Sequence, residues 1–266
     1  SRWRESRLGG PWFGQSWRSL HSPMLFEWAK ALQPEARHWP EACRDWCSDE
    51  DRHQLLSWRK ELLGDVSTLN RKDLGAGSRF RSKNSQNRSI RELARTSLTP
   101  QRDVDAMCRW LSLLSPSGRF LELGTSLGVT SAAVAQLGWA VETWEGCPET
   151  LQVAKWGWKK LELDTSIRAR CGAFASLIQE LTPSSRWDVV YLDGCHREDG
   201  TLRLTRVLAP HVESCLVLDD IAWSAGMFNA WTALKEDPTW RVSFTWRGRG
   251  FLLKAPHMER QHFRLA

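Results

Sequence analysis

The sequence predicts an α/β protein: a doubly wound, mostly parallel sheet with helices on both faces and a helical extension in front of it. Three observations lead there. From Arg119 onward, short apolar runs alternate with helical patterns, as strands and crossover helices do in a parallel sheet. The first run, Phe120–Leu123, passes through a glycine turn at Gly124 and Gly128 into a small-residue helix and a second apolar run. The last two apolar runs are joined by Arg247-Gly248-Arg249, which reads as a hairpin.

The elements follow in order. His21–Leu32 reads as a helix with Ser22 as its N-cap and Pro23 in its first turn. Asp49–Leu63 is a second helix, stopped by Gly64. Residues 70–89, polar and rich in glycine and serine, read as a long loop, either disordered or functional. Helices are expected over Ile90–Leu98 and Pro100–Leu114. Strands follow at 119–123, 140–145, 166–171, 187–193, 215–220, 240–246 and 249–254. Helices fall between them at 128–137, 148–161, 174–180, 200–210 and 224–235. The division is 1–98 as helical extension, 99–256 as the sheet domain and 257–266 as a C-terminal tail.

The glycine turn narrows the chemistry. Gly124 lets the backbone bend sharply beside a ligand. Glu145 ends the second strand 21 positions later, the spacing at which a carboxylate reaches ribose hydroxyls. A pyrophosphate site wants G-x-G-x-x-G, and here Ser126 replaces the middle glycine, which disfavours a dinucleotide. A nucleoside-type cofactor fits better.

The E-L-G-x-x-x-G pattern of Glu122–Gly128 resembles motif I of class I S-adenosylmethionine-dependent methyltransferases. Their architecture is a Rossmann-like seven-stranded sheet, with five parallel strands and a C-terminal antiparallel hairpin. The resemblance implies that the loop of Glu122, Gly124, Thr125, Ser126 and Gly128 lies under the methionine part of the cofactor. It places Glu145 and Gly146 at the ribose, and Ala173 and Phe174 beside the adenine. Between about His21 and Lys254 the chain is similar to bacterial class I methyltransferases of unassigned substrate.

Two later strands also end in acid, at Asp193 and at Asp219-Asp220. A parallel sheet brings these to one edge, where three carboxylates repel unless something positive lies between them. A divalent cation such as Mg²⁺ is the simple expectation. Asp193, Asp219 and Asp220 match the metal-ligand positions of catechol- and caffeoyl-coenzyme A-type O-methyltransferases, with Asp220 in place of an Asn. His196 stands where the catechol enzymes carry a proton-accepting Lys, and histidine suits that task near neutral pH. His196 as a ligand, or as a hydrogen-bond partner of Asp219, stays open, as does Asp193 contacting the cofactor's methionine amine without metal. The resulting expectation is O-methylation of a small-molecule hydroxyl.

Composition excludes several classes. No run reaches the roughly 20 apolar residues of a membrane span. No signal-peptide pattern opens the sequence, and seven scattered cysteines without a C-x-x-C pair read as reduced thiols in a cytoplasmic protein. The net charge of +6 is uneven: residues 1–119 carry 21 Lys and Arg against 14 Asp and Glu, residues 120–266 carry 16 against 17. The basic cluster (Arg71, Lys72, Arg79, Arg81, Lys83, Arg88, Arg91, Arg95) reads as a solvated face, with nucleic acid as the less favoured partner. Asp73–Arg81 is expected to close over the site when ligand binds. The 17 Trp read as packing residues. Oligomeric state is left open, a homodimer among the options.

Overall fold

The computed structural model describes residues 22–33, 49–70 and 87–265. Helix α1 (Pro23–Ala31) begins as expected, with the Leu25 amide donating to the Ser22 hydroxyl and proline in the first turn. Three acids open α2 (Asp49–Gly64), where they favour the positive end of the helix dipole. The expected 70–89 loop has paired ends: β1 (Thr68–Asn70) and β2 (Asn87–Ser89) form a short antiparallel ladder. Residues 71–86, with the expected lid Asp73–Arg81 and most of the basic cluster, lie outside the described residues. Ser89 then starts α3 (Ile90–Ser97) with a capping box completed by Glu92. Helix α4 (Gln101–Leu114) leads into the sheet.

The sheet region alternates as its sequence pattern requires. It runs β3 (Arg119–Leu123), α5 (Val129–Gln136), β4 (Ala140–Glu145), α6 (Pro148–Lys160), β5 (Ile167–Cys171) and α7 (Phe174–Leu177). It continues with β6 (Trp187–Leu192), α8 (Glu198–Leu208), β7 (Val212–Leu218), α9 (Ala225–Glu236), β8 (Val242–Trp246) and β9 (Arg249–Leu253). Strands β3 to β7 are mutually parallel, and β9 runs antiparallel between β7 and β8. This is the Rossmann-like arrangement expected, with one addition. The segment read as a tail contains β10 (Gln261–Leu265), which pairs parallel with β8 and makes the sheet eight-stranded. Its signal in the sequence is weak because only Phe263 and Leu265 face inward: Phe263 stacks on Phe244 at 5.2 Å and Leu265 is buried.

The spatial order β10-β8-β9-β7-β6-β3-β4-β5 reverses direction between β3 and β6, the crossover point at which ligands bind in such sheets. Strand periodicity divides the core in two. Phe120, Val189, Tyr191, Val217 and Phe251 join one cluster with the apolar faces of α1 to α6. Their neighbours Leu121, Leu123, Val190, Leu192, Leu216, Leu218 and Leu252 pack against α7, α8 and α9. The extension is built into the first cluster. Trp28 meets Trp110 edge-on at 6.2 Å, and Trp110 meets Phe251 at 5.1 Å. Trp58 of α2 packs on Gly157 of α6, where a Cβ would come within 2.0 Å of its ring. Seven of the largest fully buried side chains are tryptophans, so the packing reading of that residue holds for these. Among the described residues no helix is long and apolar enough to cross a membrane.

Candidate active site

The C-terminal ends of the parallel strands are laced together by backbone hydrogen bonds beyond the strands proper. The Gly124 amide donates to Trp144 O at 2.9 Å, Asp193 to Leu123 O at 2.8 Å, and Asp219 to Leu192 O at 2.9 Å. These bonds bring Gly124, Glu145, Asp193 and Asp219 to one edge, as the sequence predicts. Gly124 has φ +110°, and a Cβ there would sit 2.8 Å from the carbonyl carbon of Asp193. Its lack of a side chain is therefore required by both conformation and space.

The glycine loop is tied to the acid that ends β4. The Ser126 amide donates to Glu145 Oε2 at 2.9 Å, and the Cys147 amide donates to Glu145 Oε1 at 2.9 Å. Two backbone donors thus hold both carboxylate oxygens in place. Ser126 adopts φ +49°, a left-handed conformation kept by this bond and by a 2.9 Å hydroxyl contact with Ser97 of α3. Gly146 is half-buried beside Glu145, Ala173 is exposed, and the Phe174 ring lies where a Gly194 Cβ would fall, within 2.4 Å.

Two loop residues face inward instead. Gly128 is buried against α6: its carbonyl accepts from the Trp158 indole at 2.9 Å, and a Cβ would meet Trp158 and Ala154 at 2.7 Å. Glu122 is 2% exposed and accepts hydroxyl hydrogen bonds from Ser131 and from Thr143, the latter at 2.9 Å. Thr143 also meets the buried Thr125 hydroxyl at 2.6 Å. Burial is the main force raising the Glu122 carboxyl from 4.5 to about 7, with Glu145 adding to it and the two hydroxyls opposing.

This shift has a measurable consequence. The folded chain keeps a proton on Glu122 that the unfolded chain sheds above about 4.5, so stability falls as pH rises from there to about 7 and then levels off. At roughly 1.4 kcal/mol per unit, the loss approaches about 3 kcal/mol. Glu122→Gln, whose amide oxygen accepts the same hydroxyls, is expected to flatten the dependence of Tm on pH in this window. It should also melt above the wild type at about pH 8. An unaltered slope in thermal melts would refute the assignment.

The acids at the other end of the edge do not stand alone. Asp193 has a quarter-exposed side chain, with Oδ1 3.9 Å from His196 Nε2. The His196 ring lies against Trp223 at 5.3 Å. Burial, then Asp219 and Glu122, push the Asp193 carboxyl well above the usual range, and Arg249 opposes them. Asp219 accepts from the Tyr191 hydroxyl at 2.6 Å and from the Asp220 amide at 2.8 Å, and its Oδ1 lies 3.4 Å from Arg249 Nε. Arg249 Nε also donates to Tyr191 Oη at 3.2 Å, and its NH1 donates to Asp103 Oδ2 of α4 at 3.3 Å. Arg247 closes the array at 2.8 Å from Asp103 Oδ1. Burial works against the Arg249 charge, yet Tyr191, Asp219 and Asp103 together push its pKa up, so the guanidinium stays charged.

This arrangement sets another source of positive charge beside the metal expectation. The positive group beside Asp219 is a guanidinium of the chain itself, and its neighbours already engage both oxygens of that carboxylate. Among the described residues no cluster of His, Cys, Asp and Glu could hold a metal ion. Asp193, Asp219 and Asp220 share the edge, where Mg²⁺ would require near-octahedral oxygens at about 2.0–2.1 Å.

Residues 121–221 match a family model described as a methyltransferase domain. This stretch, from β3 to the turn after β7, is therefore similar to a methyltransferase domain. The fold agrees with solved structures. The cofactor-bound protein Rv0187 from MTB superposes with a TM-score of 0.55 at 14% identity, over 78% of this chain and 91% of that one. An O-methyltransferase from Bacillus cereus in complex with SAH gives 0.51 at 13% identity, over 77% and 90%. The O-methyltransferase TomG from Streptomyces achromogenes, in complex with SAM, gives 0.50 at 13%, over 60% and 82%. No curated protein matches the sequence.

Further residues, passed over in the sequence reading, shape this edge. Ser97 steadies the glycine loop from outside the sheet, Thr143 and Ser131 hold Glu122, and Tyr191, Arg249 and Asp103 hold Asp219. Two of these left a trace. Tyr191 is the sole tyrosine of the chain, and Arg249 belongs to the Arg-Gly-Arg turn already singled out as a hairpin.

Proposed function

We propose that the methyltransferase domain transfers a methyl group from S-adenosylmethionine to a hydroxyl of a small molecule, without a divalent metal. The observation that carries the reading is the Glu145 carboxylate, fixed by the Ser126 and Cys147 amides next to the tight turn at Gly124. A carboxylate so fixed at the end of the second strand of the unit suits a ribose diol. Two neighbours in fold are named O-methyltransferases and hold SAH or SAM, which supports an oxygen acceptor.

When bound, S-adenosylmethionine supplies an electrophilic methyl group on a sulfonium. In this reading the backbone of Gly124, Thr125 and Ser126 supports the methionine part and Glu145 with Gly146 grips the ribose. Phe174 and Ala173 flank the adenine. Glu122 and Gly128 act from beneath the loop by holding its shape. Asp193 aligns His196, and His196 receives the proton as the acceptor hydroxyl is consumed. The protein's main contribution is orientation of the two reactants.

Calorimetric titration with S-adenosylmethionine and S-adenosylhomocysteine tests the cofactor half: saturable binding is expected, equal in Mg²⁺ and in EDTA. Labelled-methyl transfer to a panel of phenols, alcohols and amines tests the acceptor half, and label on amines alone would overturn it. His196→Gln is expected to cut turnover of the best panel acceptor by about a hundredfold while cofactor affinity changes by less than about twofold. Parallel losses in both would remove His196 from proton transfer.

A further inference from the structure

The hairpin places a buried cation where the strand-end acids need one. Arg249 is 5% exposed, its Nε reaches both Asp219 and the Tyr191 hydroxyl, and Asp103 fixes the far side of the guanidinium. Arg247 ion-pairs with the other oxygen of Asp103, and the Trp246 ring lies 5.5 Å from the Arg249 guanidinium carbon. A planar fork gripped at several points has little freedom to withdraw. An ion bound to Asp219 would stand within a few ångströms of it, where repulsion in a poorly hydrated setting is strong.

We propose that Arg249, clamped by Asp103, is a positioning residue that serves as the built-in counter-charge of the acceptor end and excludes a divalent cation from it. The inference deepens the metal-free reading above and rests on it for the location of the acceptor. It also makes α4, which precedes the sheet, part of the site. Asp219 keeps its place against Asp193 because Arg249 and Tyr191 hold it, and Asp193 in turn faces His196.

Electron paramagnetic resonance of added Mn²⁺ reads this directly, without any acceptor. The wild type is expected to leave the free Mn²⁺ signal unchanged. Arg249→Met strips the counter-charge from the acids, and its Mn²⁺ affinity is expected to rise at least about tenfold over the wild type. Arg249→Lys, which restores the charge, is expected to show no gain. Mn²⁺ binding by the wild type, or no gain in Arg249→Met, overturns the proposal. If Arg249→Met fails to fold, Asp103→Asn leaves the guanidinium present but unclamped. A weaker gain of about threefold or more is then expected, and no gain overturns the proposal. Calorimetry with S-adenosylmethionine on the same wild-type sample separates the two readings. Absence of cofactor binding sinks methyl transfer, whereas Mn²⁺ binding beside intact cofactor binding sinks the role of Arg249 and the metal-free clause and leaves methyl transfer standing.

Discussion

Gly124→Ala is expected to abolish measurable S-adenosylmethionine binding and to lower Tm by about 6–12 °C. Two costs add at this position. The backbone sits at φ +110°, which a residue with a Cβ adopts only under strain. The new methyl would also lie 2.8–2.9 Å from the Asp193 carbonyl and the Gly194 amide, backbone atoms that have no room to yield. Together they amount to about 3 kcal/mol. Relief requires parting β3 from the 193–194 turn, and that movement pulls the glycine loop from Glu145. Gly248→Ala is the control. It has φ +82° but nothing within 4 Å of its missing Cβ. It is expected to cost only about 1 kcal/mol of backbone strain and to leave cofactor affinity unchanged. Calorimetry and thermal melts on the pair check both statements; equal behaviour of the two variants would discard the close approach at Gly124 as the cause.

Glu145→Ala is expected to weaken S-adenosylmethionine binding by about a hundredfold while the fold persists. In the proposed reading the substitution removes the carboxylate that meets the ribose, worth about 3 kcal/mol when two charge-assisted hydrogen bonds are lost. It also releases the Ser126 and Cys147 amides, which the carboxylate accepts from at 2.9 Å each. Ser126 then loses part of what keeps it at φ +49°. Glu145→Gln separates the two roles. Its amide oxygen can still accept from one of these backbone donors, so an intermediate loss is expected. Calorimetric Kd values for the three proteins give the order; an affinity in Glu145→Ala within threefold of wild type would remove this carboxylate from the cofactor site.

The parts of the molecule legible in the sequence are those written locally. Strands β6 and β7 show as short apolar runs because their central residues are buried on both faces of the sheet. The turn at Gly124 and the acid at Glu145 lie within one strand–helix–strand unit, so their spacing alone places them together. Strand β10 escaped notice because an edge strand of five residues with two inward side chains looks like a tail. The metal expectation had a different origin. It assumed that the charge balancing Asp219 came from outside the chain, whereas it comes from a hairpin whose register no local pattern sets. Arg249 lies opposite Asp219 only because Leu218 pairs with Gly250. The inward turn of Gly128 toward Trp158 was equally hidden, since a glycine kept for an indole reads the same as one kept for a ligand.

The contact between Asp103 and Arg249 spans 146 positions. A ribosome has therefore delivered the glycine loop, Glu145, Asp193 and Asp219 before the residue that balances the last two exists. Until the terminal hairpin emerges and docks on β7, the nascent sheet carries an electrostatically incomplete rim. Long-range closures of this kind come late in folding. The β8–β9 hairpin is thus the last member of this charge array to be made: a chain stalled before it holds Asp193 and Asp219 without the guanidinium that faces them.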